Sequence, residues 1–487
     1  MGKGYERLSA QDSSFVIFEG AGSHAHVTAV AIFETGPLLA DAGGLDLGRM
    51  RVHIGSRVHT LPRYRQKLAF TLLQRHPIWV DDPRFDLRYH VRHAALPCPG
   101  GDAELKELAG RVASQALDRD KPLWEIWFVE GLTGDRFAAI AKVHHSLVDG
   151  VSGVGVLTSL LSPTPDAEVE PAPAWKPRPP PGIVDFLSDG LMSGTEFSVS
   201  TVRALADAVA NPRRIAGSVS EGAVAAWETL MGGLGRPPST PINQPIGDQR
   251  RVTWKTLDLA DVRDLRKRLD GSINDIVLTI VSGAVRRLLR RRRVRLRGLD
   301  FRITVPVDMR EGRPDLEVGN KVSAWFVSLP LGERDPKRRF DRIRSQTRRL
   351  KQRKAADGID LFLRLADWSG STLLPSGLVN FVSVLRPYNM IVSNIHGPQV
   401  PLYLLGARLT EFFPHLPLFE NQGLAVAAMS YLGKIHFGLV GDWDLMPDLE
   451  DFADHLDEAT AELREAANGG RPRRRSQRRS QAQSVGA

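Results

Sequence analysis

A proline-rich segment divides this chain of 487 residues into two parts. Residues 163–181, PTPDAEVEPAPAWKPRPPP, contain eight of the 32 prolines. Proline has no amide hydrogen and a fixed φ angle, so this segment cannot continue a helix or lie inside a sheet. We therefore expect an extended linker, with a folded part on each side of it.

Strand-like and helical patterns alternate on both sides of the linker, which predicts an α/β fold. Before the linker, the patterns predict strands at AHVTAVAIFE (25–34) and RFAAIAKVHH (136–145) and a helix at LDLGRMRVHIGSRVHTL (45–61). After the linker, they predict a strand and then a helix over 250–269, strands at 301–310, 321–331, 409–417 and 434–444, and a closing helix over 448–467. The strongest helical pattern is SINDIVLTIVSGAVRRLLRR (272–291), whose apolar pairs recur every four residues.

These patterns predict four parts along the chain. We expect an N-terminal domain over residues 1–162, a proline-rich linker with a helical insert over 163–240, a C-terminal domain over 241–468, and a basic disordered tail over 469–487.

The composition limits the class of protein. A hydrophobic content of 42% can fill a sizeable core, and the single cysteine, Cys98, excludes an intrachain disulfide and any multi-cysteine metal or redox centre. No apolar run is long enough for a transmembrane helix, and MGKGYERLSAQDSSF at the start does not have the pattern of a secretory signal. We therefore expect a cytoplasmic protein.

The net charge of +9 comes largely from two arginine clusters, RRLLRRRRVRLR (286–297) and the tail beyond residue 470. Solvated helix ends and a disordered tail explain them, and so does binding to anionic lipid headgroups or a phosphorylated cofactor. No nucleic-acid-binding motif accompanies the charge, so we expect no nucleic acid as a partner.

The stretch KVHHSLVDGVSG (142–153) indicates chemistry. A buried strand ends at His144 and His145, and only one of the two can face a given cleft because side chains alternate along a strand. We assign His145, since an unperturbed histidine pKa of about 6.5 suits a general base at neutral pH. Taken singly, a buried histidine, a turn-forming Asp149 and a positive-φ Gly150 each have a structural explanation. In combination they favour a catalytic site.

This stretch resembles the HHxxxDG motif of the CoA-dependent acyltransferase superfamily. The chain as a whole resembles the bacterial wax ester synthase/acyl-CoA:diacylglycerol acyltransferase family over about residues 5–465. The matching blocks, in family order, are LSAQDSSF (8–15), LPRYRQKL (61–68), RFDLRYHVRHAALP (84–97), DRDKPLWE (118–125), PINQPIGDQRRV (241–252), SINDIVLT (272–279) and SNIHGP (393–398). His396 departs from the family pattern, which more often has a non-histidine residue there.

The resemblance implies a two-domain α/β fold like that of chloramphenicol acetyltransferase, with mixed sheets flanked by helices and a long crossover linker. It also implies that His145 takes the hydroxyl proton of a diacylglycerol or fatty alcohol, whose oxygen then attacks the thioester of acyl-CoA. Acyl-CoA is a co-substrate, and we expect no permanently bound cofactor. Transfer is direct, because Cys98 has no local base and no GxSxG elbow is present.

The resemblance assigns supporting roles to further residues. Asp149 holds the histidine loop rather than completing a triad, and Gly150 lets the chain leave the strand sharply. Asn274, which the sequence also offers as a helix N-cap, and Asp275 line the active-site channel, where Asn274 polarises the thioester carbonyl or fixes the histidine loop. Pro122, Leu123 and Trp124, which the sequence also explains as core residues, shape the substrate channel.

His24 and His26 alternate on one strand face, but no third ligand has suitable spacing, so we expect no metal site. Contact with a membrane or lipid-droplet surface is expected through the small, apolar insert from Ile183 to about Leu234 and through the arginine tail. Two rival functions stay open: a carrier-protein-dependent acyltransferase of the condensation-domain type, and a non-catalytic lipid-coating protein.

Overall fold

The structure is a computed structural model that describes residues 4–20, 22–40, 43–71, 76–147, 160–166, 171, 174–182, 237–308, 322–353 and 388–469. The expected helical insert and the basic tail beyond residue 469 lie outside these residues. Asp149 and Gly150 lie outside them as well.

The described residues form fifteen strands and eight α-helices. The strands are β1 (Tyr5–Arg7), β2 (His26–Glu34), β3 (Gln66–Phe70), β4 (Pro77–Asp81), β5 (Val91–Ala95), β6 (Trp124–Leu132), β7 (Arg136–His144), β8 (Arg250–Asp258), β9 (Phe301–Asp308), β10 (Val322–Leu329), β11 (Met390–His396), β12 (Tyr403–Leu404), β13 (Ala407–His415), β14 (Leu424–Tyr431) and β15 (Lys434–Asp442). The helices are α1 (Ala10–Phe18), α2 (Leu47–Val58), α3 (Leu87–His90), α4 (Asp102–Ser114), α5 (Leu259–Leu269), α6 (Ile273–Arg291), α7 (Pro336–Arg353) and α8 (Leu449–Ala467).

Two six-stranded sheets and one small sheet organise the described chain. The first large sheet has the order β12-β13-β2-β7-β6-β5, and the second has the order β10-β9-β11-β14-β15-β8. Each contains both parallel and antiparallel pairs. The small sheet has the order β1-β4-β3. The predicted α/β fold with mixed sheets is confirmed.

Helices α5 to α8 cover one face of the second sheet. Their apolar residues form one core cluster with β9, β10, β14 and β15. Helix α6 is the centre of this layer, because the pairs predicted from its sequence, such as Ile276/Val277 and Leu288/Leu289, are fully buried. The four-residue apolar period therefore marks a helix that is enclosed on most sides.

The first sheet contains strands from both sides of the proline-rich linker, although we expected a separate domain on each side. Strand β13, from the C-terminal part of the sequence, pairs antiparallel with β2 of the first sheet. The expected C-terminal domain over 241–468 therefore contributes a strand to the N-terminal sheet. This crossing links the two halves through backbone hydrogen bonds.

Helix α4 and strand β8 extend the contact between the halves. Trp254 and Val252 of β8 share a core cluster with Leu105 and Ala109 of α4. The approach is close at Gly110, where a Cβ would lie 2.9 Å from the carbonyl oxygen of Arg250. The two sheets thus share one apolar interior at this point.

The end of the proline-rich segment is attached to the small sheet. Within residues 174–182, which contain neither helix nor strand, the Arg178 side chain donates to both carboxylate oxygens of Asp81, at 2.9 and 3.2 Å. The Trp175 ring lies 4.5 Å from the guanidinium of Arg65. These described linker residues are therefore held to the small sheet and its neighbouring turn by specific contacts.

Candidate active site

Strand β7, an interior strand of the first sheet, places the histidine pair at its C-terminal end. It lies between β2 and β6, and its apolar residues from Phe137 to Ile140 are buried. The strand ends at His144, and a short 3₁₀ helix, His145–Leu147, follows at once. The backbone N–H of His144 donates to the Leu123 carbonyl at 3.0 Å, and that of His145 donates to the Ala25 carbonyl at 2.7 Å. Segments on either side of the strand therefore hold the backbone of both histidines.

The His144 side chain is enclosed and only 2% exposed. Its Nδ1 lies 2.6 Å from the Ser146 hydroxyl and accepts the Ser146 backbone N–H at 3.1 Å. Its Nε2 lies 3.2 Å from a carboxylate oxygen of Glu19. Both nitrogens of His144 are thus engaged in holding the loop.

Glu19, directly after α1, is the hub of this network. Its Oε1 accepts the backbone N–H of Ala25 at 3.0 Å and lies 3.6 Å from His26 Nε2, while its Oε2 pairs with Arg119. Burial acts to raise the pKa of Glu19, but the His144 hydrogen bond and Arg119 outweigh it and hold that pKa well below its usual range. The carboxylate is therefore charged at neutral pH.

His26, beside this carboxylate, is neutral. Burial lowers its pKa well below the usual value, and the neighbouring His144 lowers it further. The rings of His24 and His26 stack 5.3 Å apart. Among the described residues, no group of three or more His, Cys, Asp or Glu side chains is arranged to hold a metal ion.

His145 has a different environment from His144. Its ring stacks on Phe15 of α1 with centroids 3.9 Å apart and an interplanar angle of 22°. The residue is only partly buried. A ring fixed on one face by an aromatic side chain, with part of its surface accessible, is suited to exchange a proton with a bound molecule. The two histidines thus have different surroundings, because His144 ends β7 and His145 begins the 3₁₀ helix. The assignment of His145 as the base stays a prediction.

Pro122, Leu123 and Trp124 are buried beside the histidine pair. Leu123 and Trp124 are each 1% exposed. Leu123 supplies the carbonyl that holds His144, and the Trp124 indole donates to the Tyr64 carbonyl at 2.8 Å. These residues support the end of β7 from the adjacent strand β6. Their expected role in shaping a substrate channel stays a prediction.

Asn274 and Asp275 lie in the first turn of α6, in the second half of the fold. The N-cap of α6 is Ser272, whose hydroxyl accepts the Asp275 N–H while the Asp275 carboxylate accepts the Ser272 N–H at 2.8 Å. The expectation that Asn274 is the N-cap is therefore wrong, because a serine with an aspartate three residues later forms a capping box. Asp275 is buried and also accepts from Thr347 of α7 at 2.7 Å.

The described contacts tie Asn274 to Asn394 rather than to the histidine pair. Asn394 lies on β11, and its side-chain nitrogen is 3.5 Å from the Asn274 side-chain oxygen. Asn394 belongs to the SNIHGP block, so two of the sequence blocks meet here. The expected oxyanion or channel role of Asn274 and Asp275 stays a prediction.

Sequence reasoning missed Glu19 and Phe15 as parts of the site. Phe15 lies in the block LSAQDSSF, in which nothing local indicates a contact with the histidine pair. Glu19 is the single charged residue between Val16 and Ala25. An isolated acid between an apolar helix and a strand that begins with histidine is a signal that could have indicated it.

Within the described part of the chain, no helix combines the length and the apolar character that crossing a membrane requires.

The fold class follows from similarity to solved structures. A starter condensation domain of rhizomide synthetase, solved with C8-CoA and Leu-SNAC, matches with a TM-score of 0.54 at 12% identity, covering 96% of this chain and 95% of that one. A wax ester synthase/diacylglycerol acyltransferase from Marinobacter aquaeolei VT8 matches with a TM-score of 0.65 at 26% identity, covering 95% of this chain and all of that one. The architecture is the CoA-dependent acyltransferase fold.

The family follows from the sequence. The wax ester synthase/diacylglycerol acyltransferase catalytic domain matches residues 8–277, and the C-terminal domain of the same family matches residues 318–464. A Mycobacterium tuberculosis (strain CDC 1551 / Oshkosh) protein, provisionally named a diacylglycerol O-acyltransferase, is 35% identical over 95% of this chain and 91% of its own length. The O-acyltransferase WSD of Acinetobacter baylyi is 30% identical over 78% of this chain and 81% of its own length. The chain belongs to the wax ester synthase/diacylglycerol acyltransferase family.

Proposed function

We propose that this chain transfers a long-chain acyl group from acyl-CoA to the hydroxyl of a diacylglycerol or a long-chain alcohol, with His145 as the general base. The observation that carries the proposal is the contrast within the histidine pair. Both nitrogens of His144 are engaged with Ser146 and Glu19, whereas His145 is a partly exposed residue whose ring is fixed by Phe15. Membership of an acyltransferase family supports the reaction class.

The reaction proceeds in one transfer step. The acceptor hydroxyl gives its proton to His145 while its oxygen attacks the thioester carbonyl carbon. The C–S bond then breaks, and the protonated His145 returns the proton to the leaving CoA sulfur. The products are an ester and CoA thiol, and His145 is neutral again. No cofactor needs to be bound permanently, since acyl-CoA is the co-substrate.

The proposed mechanism needs no covalent intermediate on the protein. Cys98 is exposed and lies between β5 and α4, away from the end of β7. The chain also lacks the GxSxG elbow that presents a nucleophilic serine in other acyl-transferring folds.

Other residues position the reacting groups in this proposal. Glu19 and Ser146 keep His144 in one orientation, and this fixes the backbone from which His145 projects. Asp149 and Gly150 shape the turn that follows. Asn274 acts from the second half of the fold, either on the thioester carbonyl or on the histidine loop, and Asp275 fixes the helix end that presents it.

We also propose that the protein works at a membrane or lipid-inclusion surface as a peripheral protein in the cytoplasm. Diacylglycerols and long-chain alcohols are nearly insoluble in water, so the enzyme must reach them where they accumulate. The proposed contacts include the apolar insert and the arginine tail that the sequence indicates.

Release of CoA thiol tests the proposed reaction. Purified protein with palmitoyl-CoA is assayed with and without dioleoylglycerol or hexadecanol dispersed in neutral detergent. We expect thiol release only when an acceptor is present, with ester formed in equal amount. A burst of thiol without an acceptor would point to an acyl-enzyme. Turnover with acyl-carrier protein but not with acyl-CoA would favour the condensation-domain function, and the absence of any turnover would favour the lipid-coating function.

A further inference from the structure

We propose that the solvent-facing side of α7, together with the C-terminal end of α6, is a binding surface for anionic lipid headgroups. This surface, called the basic face, consists of Arg290, Arg293, Arg334, Lys337, Arg338, Arg348 and Arg349. The inference rests on the proposed function, because it names where such an enzyme contacts the lipid that holds its acceptor. It does not involve the arginine tail.

Helix α7 has a strongly one-sided distribution of charge. Its sequence, PKRRFDRIRSQTRRLKQR, contains a single acidic residue. Phe340, Ile343 and Thr347 are buried. Lys337, Arg338, Arg348 and Arg349 are exposed, and at 100° per residue they fall within about 120° of the helix circumference. The single acid, Asp341, is exposed in the same arc and lies 3.6 Å from Arg344, so cations outnumber acids four to one on this side. One side of α7 is therefore basic and the other is packed.

The C-terminal end of α6 lies beside the start of α7. The Arg286 guanidinium of α6 donates to the Leu331 carbonyl, which precedes α7. At the other end, Thr347 of α7 donates to Asp275 of α6 at 2.7 Å. The two helices are thus antiparallel. The basic face runs from the C-terminal end of α6 along α7 toward the end of α6 that carries Asn274.

The cations of the basic face form no ion pairs with the described residues. No ion pair involves Arg290, Arg334 or Lys337 among the described residues, and the same holds for the other members of the basic face. Burial lowers the pKa of the adjacent Arg286 to about 10, and the charges of Arg339, Arg290 and Arg334 contribute to that lowering. The local potential is therefore positive.

The opposite side of the same helical layer is acidic. Helix α8 pairs its carboxylates with the α6 arginines that face it: Arg287 with Glu458 at 2.9 Å, and Arg291 with Asp451 at 2.9 Å. Asp454 on α8 is largely exposed and pairs with Lys255 at 3.3 Å. Unpaired cations thus lie on one side of the layer and paired charges on the other, which orients the molecule in the field of a negatively charged surface.

Flotation of the full-length protein with vesicles tests this surface. The test variant combines Lys337→Gln, Arg338→Gln, Arg348→Gln and Arg349→Gln, because glutamine keeps helix propensity. The matched control combines Arg84→Gln, Arg88→Gln, Arg111→Gln and Lys434→Gln, which removes the same charge from exposed positions elsewhere. Vesicles are phosphatidylcholine alone or phosphatidylcholine with one third phosphatidylglycerol.

We expect the wild-type protein to float with the anionic vesicles at low salt and to be released at about 1 M salt, where screening is nearly complete. Each basic residue near an anionic leaflet contributes roughly fivefold to binding. The test variant should therefore bind at least tenfold more weakly, and the control should stay within about twofold of wild type.

Equal loss of binding in the test variant and in the control would overturn the proposal, because net charge alone would then explain it. Unchanged binding of the test variant would overturn it as well. The proposal would also be overturned if the wild-type protein bound duplex DNA but did not bind anionic vesicles at the same salt concentration.

Two controls separate this surface from folding and from the proposed function. Two double variants repeat the test with smaller changes: Lys337→Gln with Arg338→Gln, and Arg348→Gln with Arg349→Gln. Each should lose part of the binding that the fourfold variant loses. In neutral detergent micelles, the test variant should keep wild-type thiol release. If the wild-type protein released no thiol in micelles but still floated through the basic face, the proposed function would fail while the surface stood.

Discussion

His144 and His145 are adjacent in sequence and differ in what surrounds their rings. His144 ends a buried strand and has polar partners at both nitrogens. His145 begins a 3₁₀ helix and is held by stacking on Phe15. The contacts with Ser146 and Glu19 engage both nitrogens of His144, and its side chain is only 2% exposed. The proposed role of His145 as the base therefore rests on this difference in surroundings as well as on strand alternation.

Glu19 links the two histidines to the loop before β2. Its carboxylate holds the His144 ring and the Ala25 N–H, and the Ala25 carbonyl holds the His145 N–H. Glu19→Gln keeps the shape and removes the charge that attracts Arg119 and His144. We expect a loss of about 2 kcal/mol in the free energy of unfolding at pH 7.

The pH dependence of this loss has a definite sign. The pKa of Glu19 is depressed in the folded protein, so its stabilisation is fully present above the unfolded value of 4.5, begins to be lost as the pH falls below that value, and is fully lost only below the depressed folded value. Thermal melting from pH 7 to pH 3.5 should show the wild-type and Glu19→Gln curves converging below about pH 4.5. A gap that is constant with pH would contradict the charge-based role.

Local sequence patterns predicted the histidine pair but not its partners. The apolar run before His144 and the alternation along a strand are visible in ten residues. The contact between Glu19 and His144 joins positions far apart in the sequence, and only the pairing of β2 with β7 brings them together. Ser272 and Asn274 both have side chains that can cap a helix, so the sequence alone does not distinguish them. The reciprocal hydrogen bonds between Ser272 and Asp275 make Ser272 the N-cap.

At the scale of elements, the predicted strands and helices that depend on local periodicity are confirmed. Strands β7, β9, β13 and β15 and helices α6 and α8 lie where their patterns place them. The sheet to which a strand belongs depends on distant partners. β13 joins β2 because its residues Leu409, Phe412 and Phe413 have buried positions in the cores of the first sheet. No local pattern contains that information.

The approach of β15 to β13 depends on a glycine. A Cβ at Gly438 would overlap the carbonyl oxygen of Pro414. Gly438→Ala therefore forces the two sheets apart, and we expect a loss of about 1–3 kcal/mol in the free energy of unfolding. Chemical denaturation measures it.

The control for this change is Gly247→Ala, where the nearest atom to a Cβ is 3.8 Å away. It should stay within about 0.5 kcal/mol of wild type. Equal stability of Gly438→Ala and Gly247→Ala would show that the sheets are not in close contact at Pro414.

At the scale of the whole molecule, the two halves share structure and should unfold together. The β13 crossing and the core cluster of α4 with β8 place residues of both halves in one interior. Trp254 is in this interior and stacks on Phe413 with centroids 5.1 Å apart. The halves that the linker suggests in the sequence are therefore not independent in the fold.

Calorimetry tests this coupling. We expect one heat-absorption peak for the wild-type protein and one for Trp254→Ala. The peak of the variant should lie at a lower temperature, because loss of the large buried ring lowers the free energy of unfolding by about 3–5 kcal/mol. Two separate peaks in the wild type, with only one of them moved by Trp254→Ala, would show halves that fold independently.

The central claim is that His145 is the base and His144 is its support. The most direct measurement is acceptor-dependent thiol release by His145→Ala and His144→Ala, with the melting temperature of each. For His145→Ala we predict a rate lower by roughly 10²- to 10⁴-fold with wild-type melting. For His144→Ala we predict lower melting and a smaller loss of rate, because Glu19 is left buried with one partner fewer. A His145→Ala enzyme with rates within a few-fold of wild type, or the same loss of rate in both variants at unchanged melting, would contradict the account.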